Sequence, residues 1–219
     1  MFRPVPREEV YRKLLHVLVV LLPVGVFYGP AIFFTDRQTI LFYTLFILLL
    51  SVGIEIARFR HSAFAKWYFD TFGSMLREEE KNKLTGATYV AAATFFCAWL
   101  SLIDERMAAS ACMGLILFIL GDAAAALVGK SMGRIRIGDK TLEGALGCFL
   151  ICLGLSFFAI PQLPDFVTKW GGTVELWQAI VISVLVAFLE LFPVKLEKIK
   201  LNDNLYVPVL VTLGTYLIH

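Results

Sequence analysis

At 219 residues, 58% of them hydrophobic and 17% charged, with a mean hydropathy of +0.76, the chain carries more apolar surface than it can fold away. Soluble domains of this size are roughly 45–50% apolar and about 25% charged, and a chain this short has no interior large enough for the excess. The surplus is expected to face lipid, and a formal net charge of +2 is too small to suggest a nucleic-acid partner.

Residues 1–13 are polar and no small-residue cleavage site follows the first apolar run, so no cleavable signal peptide is expected. Apolar runs follow at residues 14–28, 39–57, 86–103, 107–128, 142–160, 176–192 and 205–218. A spanning helix needs roughly 20 residues, with a lower limit near 17, so the first and last runs would each need a turn from a polar flank. Without water each span must satisfy its own backbone, which predicts helices, and no run shows the alternation of a membrane barrel strand. The expected fold is all-α, a polytopic integral membrane protein of about seven transmembrane helices forming one domain over residues 1–219. The four cysteines, Cys97, Cys112, Cys148 and Cys152, all lie within apolar runs without a CxxC motif. Cys148 and Cys152, four apart, share a helix face and read as small packed hydrophobes.

The connections between runs differ sharply in charge. Arg3, Arg7, Arg12 and Lys13 precede the first run, and Arg58, Arg60, Lys66, Arg77, Lys81 and Lys83 lie between the second and third. Lys130, Arg134, Arg136 and Lys140 separate the fourth and fifth, and Lys195, Lys198 and Lys200 the sixth and seventh. With seven spans these seventeen share one side, leaving Arg37, Arg106 and Lys169 on the other. Cytoplasmic loops carry the positive excess, which predicts a cytoplasmic N-terminus and a C-terminus on the opposite side of the cytoplasmic membrane. Phe64, Trp67, Tyr68, Phe72 and Met75, at helical spacing, predict a short helix in the membrane interface, either an anchor or a guide for lipid.

Acids in or beside apolar runs are costly and are candidates for function. Glu55, Asp122, Glu143 and Glu190 all fall near the cytoplasmic level, as do His16 and the Asp203-Asn204 pair before the last run. Glu55 and Glu190, at helix ends, read equally well as acids that reach water. Asp122 does not, because a full apolar turn follows it. Gly121, Ala125 and Gly129 form a small-residue face for close helix approach. Beyond them a loop of about a dozen residues carries Gly129, Gly133 and Gly138 with Lys130, Arg134, Arg136 and Lys140. Glycine-rich backbone, basic side chains and the helix N-terminus that follows are suited to phosphate. Residues 124–131 match a relaxed phosphate-loop pattern, but that motif requires a strand before it and here a membrane helix stands there. Carboxylates beside such a loop suggest Mg²⁺ with nucleotide phosphates, and a site at the membrane's inner level could take its acceptor from lipid. That combination points to a lipid kinase.

Arg12-Lys13-Leu-Leu-His16, Leu84-Thr-Gly-Ala-Thr-Tyr89, residues 121–144 and Asp203-Asn-Leu-Tyr-Val-Pro208 together resemble the polyprenol kinase family, which includes dolichol, phytol and CTP-using diacylglycerol kinases. The four patches occur in the expected order over nearly the whole chain. The resemblance implies CTP as phosphoryl donor, Mg²⁺, and a lipid alcohol as acceptor. It carries Asp122, Lys140, Glu143, Asp203 and Asn204 over as core site residues, with Arg12, Lys13 and His16 secondary. The chain lacks the additional N-terminal helices of eukaryotic dolichol kinases, so the compact phytol kinase or prokaryotic type is the better match. On this reading CTP lies along the basic loop, its phosphates against Lys130, Gly133, Arg134 and Lys140. Asp122 with Glu143 or Asp203 would hold Mg²⁺. The remaining carboxylate, or His16, would take the hydroxyl proton, Asp203 being the preferred base. A lipid cytidylyltransferase and a small-molecule transporter remain alternatives.

Overall fold

The computed structural model describes residues 4–73, 76, 78–196 and 199–219. Met75 of the aromatic stripe and Arg3, Arg77 and Lys198 of the basic set lie outside the described residues. Among those described, the chain is mostly helical. Its helices are α1 (Arg7–Leu18), α2 (Leu21–Ile32), α3 (Arg37–Arg60), α4 (Ser62–Phe72), α5 (Gly86–Leu100), α6 (Glu105–Met132), α7 (Leu142–Gly154), α8 (Phe166–Trp170), α9 (Leu176–Leu191) and α10 (Asp203–Ile218).

Four segments are long and apolar enough to cross a membrane: Glu9–Ile32, Arg37–Arg60, Glu105–Met132 and Leu142–Gln162. The other three apolar runs fold as the shorter helices α5, α9 and α10, of 15, 16 and 16 residues. At about 1.5 Å per residue these reach about 23–24 Å, short of a bilayer core near 30 Å. The first run divides into α1 and α2. Pro23 has no N–H for the Val19 carbonyl and its ring crowds that carbonyl, so the chain turns at Val19–Val20 and resumes in α2.

Two β-hairpins depart from the all-α expectation. β1 (Arg136–Ile137) pairs with β2 (Lys140–Thr141), and β3 (Lys195–Leu196) with β4 (Ile199–Lys200), both antiparallel. In the first, Gly138 takes φ +60° at the turn, a conformation that costs glycine little. The basic segment after α6 is therefore shaped by strand pairing as well as by its glycines.

α6 is the spine of the bundle. Its residues from Met107 to Ile119 are buried, whereas α3 leaves Phe42, Phe46, Leu49 and Leu50 exposed. The small-residue face packs against α7 as the spacing predicts. A Cβ on Gly121 would lie 2.9 Å from Cys148 Sγ and 3.0 Å from Cys152 Sγ, and one on Gly144 only 2.7 Å from the Ala125 carbonyl oxygen. All four cysteines are free and fully buried. On the other side of α6, Gly114 admits α10, where a Cβ would come within 2.9 Å of the Thr212 backbone nitrogen. α4 carries Phe64, Trp67, Tyr68 and Phe72 as a run of touching rings, with Phe64–Trp67 centroids 5.5 Å and Tyr68–Phe72 centroids 5.2 Å apart.

Among the described residues, Arg37, Arg106 and Lys169 gather at the N-terminal end of α6 and Lys130 stands at the other. At its N-terminal end Asp104 caps the helix by accepting from Met107 N (2.6 Å). Glu105 there binds Arg37 (2.6 Å) and Lys169 (3.3 Å), and Arg106 lies over the Tyr216 ring at 4.3 Å. At the other end Lys130 binds Glu9 (2.5 Å).

Candidate active site

A cavity of about 770 Å³ opens at the C-terminal end of α6. α1 contributes Glu9, Arg12 and Lys13 to its wall, and the spacing of these with His16 puts all four on one helical face. Facing them, α6 presents Asp122, Ala125, Ala126, Gly129 and Lys130, again one face. Lys13 donates to Asp122 Oδ2, and His16 Nε2 lies 3.3 Å from that same oxygen, leaving Oδ1 for another ligand. Glu9 joins Arg12 at 2.6 Å to Lys130 at 2.5 Å, so the N-terminal helix is tied across the cavity mouth.

The β1–β2 hairpin brings Lys140 in from the side. Its ammonium is bound by Glu190, at the end of α9, and lies 3.1 Å from Asp203 Oδ2, in the first turn of α10. Burial alone would lower the Lys140 pKa, but the carboxylates of Glu190, Asp203 and Asp122 outweigh it and hold the ammonium above its ordinary range. Two helix N-termini reach the cavity. Thr141 caps α7 by accepting from Gly144 N (3.1 Å), and Asn202 caps α10 by accepting from Asn204 N (3.0 Å). Both ends add positive potential where an anion would sit. Gly133 also lines the wall, and a Cβ there would lie 2.2 Å from the Gly129 carbonyl oxygen, so no other residue fits.

Of the residues singled out from sequence, Arg12, Lys13, Asp122, Lys130, Gly133, Lys140 and Asp203 line this one cavity, with His16 directly behind Asp122. Three do not. Glu143 accepts from Ile135 N, 3.2 Å from each carboxylate oxygen, and so braces the backbone of the hairpin's approach. Arg134, beside that segment, is also off the wall. Asn204 packs against Gly86, its Nδ2 3.5 Å from the Gly86 carbonyl oxygen.

Two bland readings are corrected. Glu190 does not reach water: it is 4% exposed and lines the cavity, with Oε2 lacking a hydrogen-bond partner among the described residues. Glu55, 2% exposed, is locked by Arg58, Thr85 N (2.8 Å), Thr85 Oγ1 (2.7 Å) and Thr88 Oγ1 (3.1 Å). Arg58 in turn donates to the carbonyls of Glu80, Lys81 and Lys83 at 2.7, 3.1 and 2.6 Å. This pair fixes the chain before α5, from which Glu80, Lys83 and Leu84 line the cavity. Glu9 was missed altogether, although it stands one turn before Lys13 on the same face as Arg12 and His16.

The donor set suits a hard divalent cation. The carboxylates of Asp122 and Asp203 on the cavity wall offer oxygen donors only. Among the described residues no three His, Cys, Asp or Glu side chains are arranged to hold a metal by themselves. Mg²⁺ does not require that, because it commonly takes one or two carboxylates and completes its shell with phosphate oxygens and water.

The chain is similar to CTP-dependent diacylglycerol kinase 1 of Schizosaccharomyces pombe. The two are 26% identical over 170 residues, covering 75% of this chain and 74% of the relative. An uncharacterized protein of Methanocaldococcus jannaschii is 27% identical over 209 residues, covering 93% of this chain and 91% of the relative. No protein-family model matches the chain, and no solved structure does.

Proposed function

We propose that the chain is a membrane-embedded lipid kinase that transfers the γ-phosphoryl group of CTP to the hydroxyl of a lipid alcohol. All residues from 1 to 219 form one domain. The chain crosses the cytoplasmic membrane seven times, with the N-terminus and the cavity on the cytoplasmic side and the C-terminus opposite. The single observation that carries this reading is the cavity. Its 770 Å³ suits a nucleotide-sized ligand, and it combines carboxylates, lysines and two helix N-termini at one end of an apolar bundle. Similarity to a CTP-dependent diacylglycerol kinase supports the donor and the acceptor class.

Lys130, Arg12 and the backbone around Gly133 would bind the triphosphate, which would compete with Glu9 for Lys130. With Glu143 turned toward Ile135, Asp203 becomes the second carboxylate, and Asp122 and Asp203 would hold Mg²⁺. When bound, the ion neutralises phosphate charge and polarises the γ-phosphoryl group. Lys13 and His16 hold Asp122 in position, and Lys140 supplies positive charge between Asp203 and the acceptor end. The acceptor oxygen bonds to the γ-phosphorus as the bridging P–O bond breaks, CDP leaves, and the hydroxyl proton passes to a carboxylate of the cavity.

The decisive experiment incubates purified protein with γ-labelled CTP or ATP and a panel of dolichol, undecaprenol, phytol, farnesol and diacylglycerol. Label on a lipid with CTP supports the reading; a CDP-lipid with pyrophosphate release would identify a cytidylyltransferase instead. Asp122→Asn is expected to lose about 100-fold or more of the kinase rate while inserting normally. A folded Asp122→Asn protein with full activity overturns the assignment.

A further inference from the structure

Among the described residues, Glu190 is a carboxylate whose buried oxygen the reading above leaves unexplained. It lies at the end of α9 on the buried face, between Phe188 (55% exposed) and Phe192 (44% exposed) along the chain. One oxygen, Oε1, is bound by Lys140. The other, Oε2, is buried with no hydrogen-bond partner among the described residues. A buried carboxylate oxygen left unsatisfied costs roughly 1–3 kcal/mol or more, which calls for a donor that is supplied in the working state. Lys140 touches Glu190 and the Asp122 and Asp203 carboxylates act on it, while Leu191, Pro193, Ala125, Ala126 and Ala145 add small and apolar surface to the same cavity. The phosphate-binding groups, Arg12, Lys130 and Gly133, belong to α1 and the C-terminal end of α6 instead. The unsatisfied oxygen therefore calls for a hydrogen-bond donor such as a hydroxyl, in a cavity whose small and apolar residues leave room for the carbon chain that bears it.

We infer that Glu190 is the catalytic base: its Oε2 accepts the hydrogen bond, and then the proton, of the lipid alcohol. This rests on the kinase reading and assigns within it a role to a residue that sequence offered as a candidate for function or, equally well, as a solvated helix end. As the alcohol oxygen bonds to the γ-phosphorus, the bridging P–O bond breaks with its electrons passing to the β-phosphate of CDP. The hydroxyl proton moves to Oε2 and leaves to solvent after the phospholipid departs. Lys140 holds Oε1 throughout, so the carboxylate cannot rotate away from the acceptor. Glu143, directed at Ile135 N, is excluded from this role by its position.

The test uses the full-length protein in detergent or vesicles and the best-labelled acceptor of the panel above. Glu190→Gln keeps an oxygen for Lys140 and nearly the same volume. It is expected to lower kcat by about 100-fold or more while CTP binding, measured without acceptor by displacement of a fluorescent CTP analogue, changes less than about threefold. An acceptor analogue fluorinated beside the carbinol carbon has a more acidic hydroxyl and needs the base less. With it the gap between wild type and Glu190→Gln should narrow at least about tenfold. A Glu190→Gln enzyme with more than about a third of the wild-type kcat overturns the assignment, as does a loss of equal size with both acceptors. Should Glu190→Gln not fold, Glu190→Asp, which withdraws the carboxylate by one methylene, is expected to show the same narrowing from a smaller loss, and its absence overturns the assignment equally. If wild type labels no lipid alcohol, the kinase reading falls and this one with it; if wild type labels lipid and the variants behave like wild type, only the role of Glu190 falls.

Discussion

Lys13 neutralises Asp122, and Lys140 is shared by Glu190 and Asp203, so the three deep acids of the cavity are held by two lysines. The pairing sets the pH behaviour. Because the folded Lys140 pKa is raised above its ordinary 10.5, the stability from its charge is fully present below that value and lost only as pH rises through the higher folded one. Removing the ammonium by mutation has the effect that acidification does not. Lys140→Met leaves Glu190 as an uncompensated buried charge and is expected to cost about 3–5 kcal/mol, read as a lower Tm in detergent. Adding Glu190→Gln to Lys140→Met should recover part of that loss, whereas two additive losses would show that the pair is not coupled. At this scale Asp122 was legible because a carboxylate one turn inside an apolar run has no bland explanation, and Lys13, Lys140 and Asp203 because they sit in motif patches. Glu143 and Glu190 were singled out as well, but which way each turns was not legible. Both stand within a turn of a helix end, and whether such a side chain turns inward depends on how that helix is rotated against its neighbours, which no local pattern encodes.

The contact between α6 and α7 depends on hydrogen atoms where other residues carry carbon. A Cβ at Gly144 would stand 2.7 Å from the Ala125 carbonyl oxygen, and backbone cannot swing aside as a side chain can. Gly144→Ala is expected to destabilise the protein by about 1–3 kcal/mol and to weaken CTP binding, since the residue also lines the cavity. An unchanged Tm in detergent would refute the close approach. That a helix would approach closely here could be read from the four-residue spacing of Gly121, Ala125 and Gly129, though not that the helix is α7. The β1–β2 hairpin could not. Two-residue strands carry almost no periodicity, and a Gly138-Asp139 turn inside a basic stretch reads first as loop. The division of α1 from α2 was hidden for a different reason: Pro23 lies within an otherwise unbroken apolar run, where composition outweighs a single missing donor. The Leu84-Thr-Gly-Ala-Thr-Tyr89 patch was recognisable only as a motif. Its physical role, receiving Glu55 on Thr85 and Thr88 and admitting Asn204 at Gly86, required the packing of α3 and α10 against α5.

For the molecule as a whole, the lysine and arginine count predicts two populations; the three of the smaller one gather at the N-terminal end of α6, and Arg12, Lys13, Lys83, Lys130, Arg136 and Lys140 of the larger line the cavity at its other end. Arg37 and Lys169, from distant parts of the chain, meet on Glu105, and Arg106 lies near Tyr216. α6 itself is 28 residues long, about 42 Å, enough to cross a bilayer core of about 30 Å and reach both surfaces. The proposal of seven crossings asks more of α5, α9 and α10, whose lengths require polar flanks or a thinned bilayer to complete the passage. That question can be addressed by sidedness. A probe residue at Ser62 and one at Thr173, both exposed, lie in connections assigned to opposite surfaces. A membrane-impermeant maleimide applied to right-side-out vesicles is expected to modify Thr173→Cys and spare Ser62→Cys, with the reverse in inside-out vesicles. Equal labelling of both from one side would refute the orientation. The burial of Cys97, Cys112, Cys148 and Cys152 makes the measurement direct. With every native thiol sealed within the bundle, the unmodified chain should be silent to the reagent, and each introduced cysteine would report on a blank background without first stripping the protein of its own.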